Sequence, residues 1–377
     1  MIKILICGDY APRDRVQNLL EAENYENVFG EIVNYTSKAD YSIVNLEAPI
    51  VVSNAEPIKK CGPNLKCTPK AVKALKYAGF NMVTLANNHF YDYGDEGVCD
   101  TLEVCNAENI DVVGGGRCIE EASKILYKEI NGVKIAFINC CEKEFSIATD
   151  NKGGANHLNP IKQYYLIQEA KKEANKIILI VHGGHEYYPL PSMRMKETYR
   201  FFIDAGADVV INHHQHCYSG YEVYNSKPIF YGLGNFCFDS DKMRNLSWNE
   251  GYMVMLNIGK DISFEVIPYV QGNEFPGVHI ISKQEKDAFF CNISKLNDII
   301  SNDECLVSEW NLFMQKTTRG YQLLVEPYDD RILSSLYVRK LLPSLISEKK
   351  RLRILNYLQC ESHIDRLIYA INLGLKK

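Results

Sequence analysis

KIILIVHGGH, residues 176–185, sets an unbroken aliphatic run directly against two histidines, His182 and His185. A short apolar run of this kind reads as a strand buried on both faces, as in parallel sheets covered by helices. Four other stretches repeat the design. ADVVINHHQH (207–216) ends in His213, His214 and His216, and FNMVTLANNH (80–89) ends in Asn88 and His89. IKILICGD (2–9) ends in Asp9 and YSIVNLE (41–47) in Glu47. Open α/β sheets bind ligands beyond the carboxyl ends of their strands. Five strand ends are therefore predicted to deliver carboxylate, amide and imidazole groups to one edge, a mixture suited to a metal site.

The intervening segments supply the crossovers. RDRVQNLLEAEN (13–24) is amphipathic, and PKAVKALKYA (69–78) has proline at a first helical turn before Gly79 ends it. GDEGVCDTLEVCNAENI (94–110) predicts a helix followed by a strand at 111–113, stopped by Gly114–Gly116. Strand–helix alternation at this spacing argues for an α/β domain with parallel pairing. Asn131-Gly132 between two alternating runs predicts a hairpin, and the α/β pattern resumes with a strand at 176–181 and a helix at 192–205. After residue 220, GYEVYNSKPIFYGLGNF, YMVMLNI and ISFEVIPYV are expected to form antiparallel strands. The first domain is expected to span 1–275 and a helical module 276–377, on the periodicity of AFFCNISKLNDII, LLPSLISEKKRLRILNYLQ and HIDRLIYAINLGL.

Composition excludes some partners. The 377 residues are 46% hydrophobic and 24% charged with a net charge of −5, which leaves no basic footprint for nucleic acid. Thirteen cysteines include no CxxC pair, and Cys7, Cys140, Cys217 and Cys237 fall in or beside apolar segments as small hydrophobes do. The run after Lys3 is broken by Gly8 and Asp9, too short for a signal sequence or a membrane span. A reducing cytoplasm and no membrane span are the expectation.

Six blocks occur in order: Gly8-Asp9; Asn45 to Pro49; Ala86 to His89 with Asp92 and Gly94; His182 to Glu186; Asn212 to His216; and Tyr231 to Phe236. Over about residues 1–270 this set resembles the CapA family, named for a protein of bacterial poly-γ-glutamate capsule synthesis, a branch of the calcineurin-like metallophosphoesterases. The resemblance implies a four-layer α-β-β-α sandwich holding one or two divalent ions (Mn, Zn or Fe). It implies Asp9, Glu47 and His216 on one ion, with Glu47, Asn88, His182 and His214 on the other, Glu47 bridging. His89 is then free to act as general acid, its imidazole oriented by Asp92. His185, Glu186, His213 and Asn235 are expected to contact substrate or support the ligands.

The expected chemistry is hydrolysis of a phosphoester by a metal-activated hydroxide, linked to capsule or cell-surface polymers and acting on a phosphorylated or polyanionic substrate. Capsule-synthesis proteins are the expected partners. Two alternatives stay open: an accessory or amide-bond enzyme for poly-γ-glutamate-type polymers, and a non-catalytic scaffold stabilised by metal. The chain departs from the calcineurin-like pattern at Ala11 (histidine), Asn212 (glycine) and Gly183 (aromatic). Arg13, Lys59 and Lys60 are the candidates for a phosphate clamp.

Overall fold

A computed structural model describes residues 1–359 together with His363, Leu367 and Ile371. The rest of the helical stretch predicted at 363–375 lies outside the described residues. Four strands, β1 (Ile2–Tyr10), β2 (Tyr41–Leu46), β3 (Met82–Thr84) and β4 (Asp111–Val113), pair in parallel in that order. A two-residue strand β5 (Gly115–Gly116) precedes the hairpin of β6 (Leu126–Ile130) and β7 (Val133–Cys141), and pairs with β8 (Gly154–Ala155). β9 (Lys176–His182) and β10 (Val209–His213) follow, then the hairpin β11 (Tyr221–Tyr224) and β12 (Lys227–Phe230). Together they build a second sheet in the order β11-β12-β10-β9-β7-β6. β13 (Asn235–Cys237), β14 (Glu250–Ile258), β15 (Ile262–Gln271) and β16 (Val278–Ile280) return to the first sheet. Its order is β16-β15-β14-β1-β2-β3-β4, with β13 beside β1.

The two sheets share one core. Ile4, Ile6, Ile43 and Met82 of the first pack in a single cluster with Phe137, Ile178, Ile180 and Ile211 of the second. The other face of the first sheet presents Leu5, Val44 and Val83 to Val16, Leu20, Val72 and Leu75 of the helices Asp14–Glu21 and Lys70–Tyr77. The helices Pro160–Glu173 and Met193–Ala205 pack against the second sheet. The result is the four-layer α-β-β-α sandwich. Burial on both faces is why Ile177–Val181 contains no polar position.

Local signals hold where they are chemically specific. Asn131 and Gly132 adopt φ of 49° and 79°, the left-handed pair that a two-residue hairpin requires. Ser192 caps the helix that follows it by accepting from the Met195 N–H. Cys7, Cys140, Cys217 and Cys237 are all buried.

One strand is paired otherwise than expected. The segment ending in GLGNF does not continue an antiparallel array: β13 crosses to the first sheet and runs parallel to β1, Asp9 opposite Asn235. Gly234, at φ 78°, makes the crossing, and its carbonyl accepts the Asp9 N–H. Alternation of side chains is the same in either sheet, so the local pattern could not specify the partner.

The compact first unit also runs past residue 275, to Val307. β16 belongs to the first sheet, and the helix Lys283–Ser301 sends Phe289 and Ile293 into the inter-sheet core. Lys196, itself buried, donates to the Ile300 carbonyl and to Asp303 Oδ1, fixing the end of that helix. The second unit, Ser308–Lys377, contains the helices Arg331–Val338 and Glu348–Gln359. Its buried Glu326 accepts from Tyr337 Oη, the Leu345 N–H and Arg351 Nη2. No helix among the described residues is long and apolar enough to cross a membrane.

Candidate metal centre

The carboxyl ends of both sheets meet at one place. Asp9 lies near the end of β1, Glu47 directly follows β2, and Asn88 and His89 follow β3. The second sheet contributes His182 and His213, each the last residue of its strand and paired with each other. His214 and His216 lie on the loop beyond β10, and Asn235 begins β13. Each of these side chains is buried. Among the described residues, two groups of ligand-type atoms draw together within 4.8 Å: Glu47 with His182 and His214, and Asp9 with Glu47 and His216. Glu47 belongs to both.

The distances define the cluster. Glu47 Oε1 lies 3.7 Å from His182 Nε2 and 3.7 Å from His216 Nε2. Asn88 Oδ1 is 3.1 Å from His182 Nε2, which is also 3.1 Å from His214 Nδ1. Asn45 Nδ2 donates to Asp9 Oδ1 at 2.7 Å and approaches His182 Nδ1 at 3.2 Å. The His214 N–H donates to Asp9 Oδ2, and His216 Nδ1 meets Asn235 Oδ1 at 2.8 Å. His214 and His216 hold φ of 98° and 56°, left-handed conformations that cost of order 1–3 kcal/mol each outside glycine. Strain of that kind persists where surrounding structure imposes it.

Electrostatics point the same way. Both oxygens of Glu47 are buried without a hydrogen-bond partner. Burial pushes its carboxyl well above the carboxylate range, and the neighbouring Asp9 charge pushes it further. Burial raises Asp9 to about 7 against the opposing hydrogen bonds from Asn45 and His214. Burial also lowers the imidazoles, His182 well below the ordinary value, His214 to about 4, and His213 and His216 to about 3. Neutral imidazoles beside carboxylates that lack a counter-charge are the donor set a divalent ion takes. An orphaned buried carboxylate is otherwise a costly feature.

The family model for the bacterial capsule synthesis protein PGA_cap matches residues 3–240. The chain belongs to that family. The capsule biosynthesis protein CapA of Bacillus anthracis is 32% identical over 246 residues, 63% of this chain and 60% of its own length. The PGA biosynthesis protein CapA of Bacillus subtilis (strain 168) is 33% identical over 267 residues, 69% of each chain. Among solved structures, a 5′-nucleotidase from Candida albicans aligns with a TM-score of 0.41 at 12% identity, over 84% of this chain and 57% of that one.

Within this PGA_cap chain the remaining predicted residues take distinct places. His89 Nδ1 lies 2.7 Å from Asp92 Oδ2. His213 is buried with Nδ1 3.4 Å from Asp9 Oδ1. His185 is half-buried and Glu186 exposed on the loop after β9, and neither joins the two ligand groups. Asp9 does not cap the following helix, whose N-cap is Arg13. Asn87 forms an Asx turn, accepting the His89 N–H.

The departures have structural replacements. Asn212 stitches the loops, donating to the Gly183 and Tyr231 carbonyls and accepting from Tyr199 Oη. Gly183 leaves room for Glu142, whose carboxylate accepts the Gly184 N–H; a Cβ at Gly183 would sit 2.7 Å from Glu142 Cγ. Ala11 is buried and lines a cavity of about 280 Å³ with Arg13 and Lys66.

Sequence reasoning passed over Asn45, whose amide bridges Asp9 and His182. It also passed over Trp248, whose ring lies 4.8 Å from that of His216. Asn45 sat in a quoted motif but inside an apolar strand. Trp248 lies outside every motif, and nothing local marks it.

Proposed function

We propose that this chain is a metal-dependent hydrolase of phosphoesters serving capsule or cell-surface polymer metabolism. The observation that carries the reading is the meeting of two ligand groups at Glu47, whose buried oxygens lack hydrogen-bond partners. Asp9, Glu47 and His216 would hold one divalent ion. Glu47, Asn88 through its Oδ1, His182 and His214 would hold the other, and Mn, Zn or Fe suits these donors. Bound there, such ions supply Lewis-acid polarisation of a phosphoryl oxygen and activation of water.

The chain's own residues do the rest. Burial keeps the imidazoles neutral and available, while Asn45 and Asn235 fix Asp9 and His216 in place. Asp92 accepts from His89 Nδ1–H, and the doubly protonated imidazolium would give its Nε2 proton to the leaving oxygen and return to the neutral Nδ1–H tautomer. His185 and Glu186 would contact a phosphorylated or polyanionic substrate or support the ligands, as would His213, whose Nδ1 lies 3.4 Å from Asp9 Oδ1. Other capsule-synthesis proteins are the partners this reading expects, in a reducing compartment such as the cytoplasm.

A second reading draws on the relatives, which include a PGA biosynthesis protein and a probable polyglutamine synthesis accessory protein of Mycobacterium tuberculosis. The same residues would then act on a γ-glutamyl amide. Mn²⁺-loaded protein assayed on bis(p-nitrophenyl) phosphate and on an oligo-γ-glutamate separates the two. Phosphodiester turnover that falls by about 100-fold or more in His89→Ala is expected. Glutamate release alone would favour the second reading. Turnover of neither substrate, with metal bound, would overturn hydrolysis and leave a metal-stabilised scaffold.

A further inference from the structure

Lys60 lies between β2 and the helix Lys70–Tyr77, in a stretch without helix or strand, yet its side chain is only 3% exposed. Its Nζ forms an ion pair with Asp92 Oδ1 and sits 3.3 Å from His89 Nδ1. Asp92 is fully buried. Its Oδ2 accepts from His89 Nδ1 at 2.7 Å and from the Leu65 N–H at 2.6 Å, and its main-chain carbonyl accepts the Ile58 N–H. The segment from Ile58 to Leu65 is thus wrapped around one carboxylate. Oδ1 has no hydrogen-bond partner, so the Lys60 charge is what compensates it.

The geometry also settles what the contact with His89 is. An ammonium only donates, so Lys60 cannot hydrogen-bond Nδ1 while the Nδ1–H is given to Asp92. The 2.7 Å distance favours the carboxylate over the 3.3 Å ammonium. A phosphate clamp would face solvent with its charge free. Lys60 is withdrawn and already paired, whereas Lys59 beside it is exposed.

We propose that Lys60 is a positioning residue for His89, acting through Asp92. It pins the carboxylate so that Nδ1 is held and Nε2 is left for the reacting group. Its consequence for turnover rests on the hydrolase reading; the positioning itself does not.

The test uses the metal-free 377-residue chain labelled with ¹⁵N-histidine. The His89 Nδ1–H, assigned by its disappearance in His89→Gln, is expected as a slowly exchanging downfield resonance. Lys60→Met should abolish it and Lys60→Arg should restore it. Lys60→Gln replaces the methionine variant should the latter not fold. On bis(p-nitrophenyl) phosphate with Mn²⁺, Lys60→Met should lower kcat about tenfold with KM within about twofold and metal content unchanged. An Nδ1–H signal that survives in Lys60→Met, or a loss confined to KM, overturns the proposal. Native protein without turnover would remove the hydrolase reading, and the resonance alone would then decide.

Discussion

Glu47 presents two buried oxygens without partners, so its replacement has opposite effects with and without metal. Glu47→Gln should raise the thermal midpoint of protein in chelator, by removing a buried group that ionises at a cost, and abolish the rise that Mn²⁺ gives the native chain. Differential scanning calorimetry reads both. The titrations set a pH dependence as well. His214 and His216, at about 4 and about 3, carry no proton to displace near neutrality, whereas Asp9, at about 7, does, and burial pushes the neighbouring Glu47 carboxyl upward in the same direction. Metal binding must therefore release protons, and affinity should rise with pH between about 6 and 8. Calorimetric titration in buffers of different ionisation enthalpy would show it; a buffer-independent heat at pH 6 would contradict it. Without metal the sign reverses. The Asp9 value in the fold lies above its ordinary 3.8, so its contribution to stability is full below that pH and is lost as pH rises through about 7. These ligand-type residues were legible because each polar group ends an apolar run. Lys60 was legible only as a nearby cation, since its pairing with Asp92 depends on how an irregular segment folds.

Elements bring the two sheets' edges together, and β13 crosses in close contact with β1. A Cβ on Gly8 would lie 1.9 Å from the Gly234 carbonyl oxygen, a main-chain atom that cannot swing aside. Gly8→Ala should destabilise the protein by about 3 kcal/mol or more and cut metal content, because Asp9 and Asn235 sit on the two strands forced apart. Gly132→Ala serves as a control: nothing lies within 4 Å of its Cβ, and only the left-handed backbone is lost, at about 1 kcal/mol. Equal losses from the two would refute the role given to the crossing. The strands and crossover helices were readable because double burial leaves an uninterrupted apolar run, amphipathic spacing marks the helices between them, and Ser192 caps the helix Met193–Ala205. The partner of β13 was not, because pairing across sheets leaves no trace in a three-residue pattern.

At the scale of the whole molecule, the first unit needs the helix Lys283–Ser301. Phe289 and Ile293 bury in the inter-sheet core, and each is worth about 1.5–3 kcal/mol by area. A chain ending at residue 275 should lose cooperative unfolding, while one ending at residue 307 should keep it and keep its metal; circular dichroism melts of the two compare them directly. The sequence does not show where the first unit closes, because helical periodicity after residue 283 looks alike whether a helix closes a sandwich or starts a separate unit. We propose that Glu47 joins the two ligand groups into one dinuclear centre. Its most direct test is the metal stoichiometry of protein equilibrated with Mn²⁺, compared with Glu47→Gln and with His214→Ala/His216→Ala. About two ions per chain in the native protein, falling below one in each variant, is the predicted result. Native protein that retains no specific metal, or a Glu47→Gln variant with full occupancy, would contradict it.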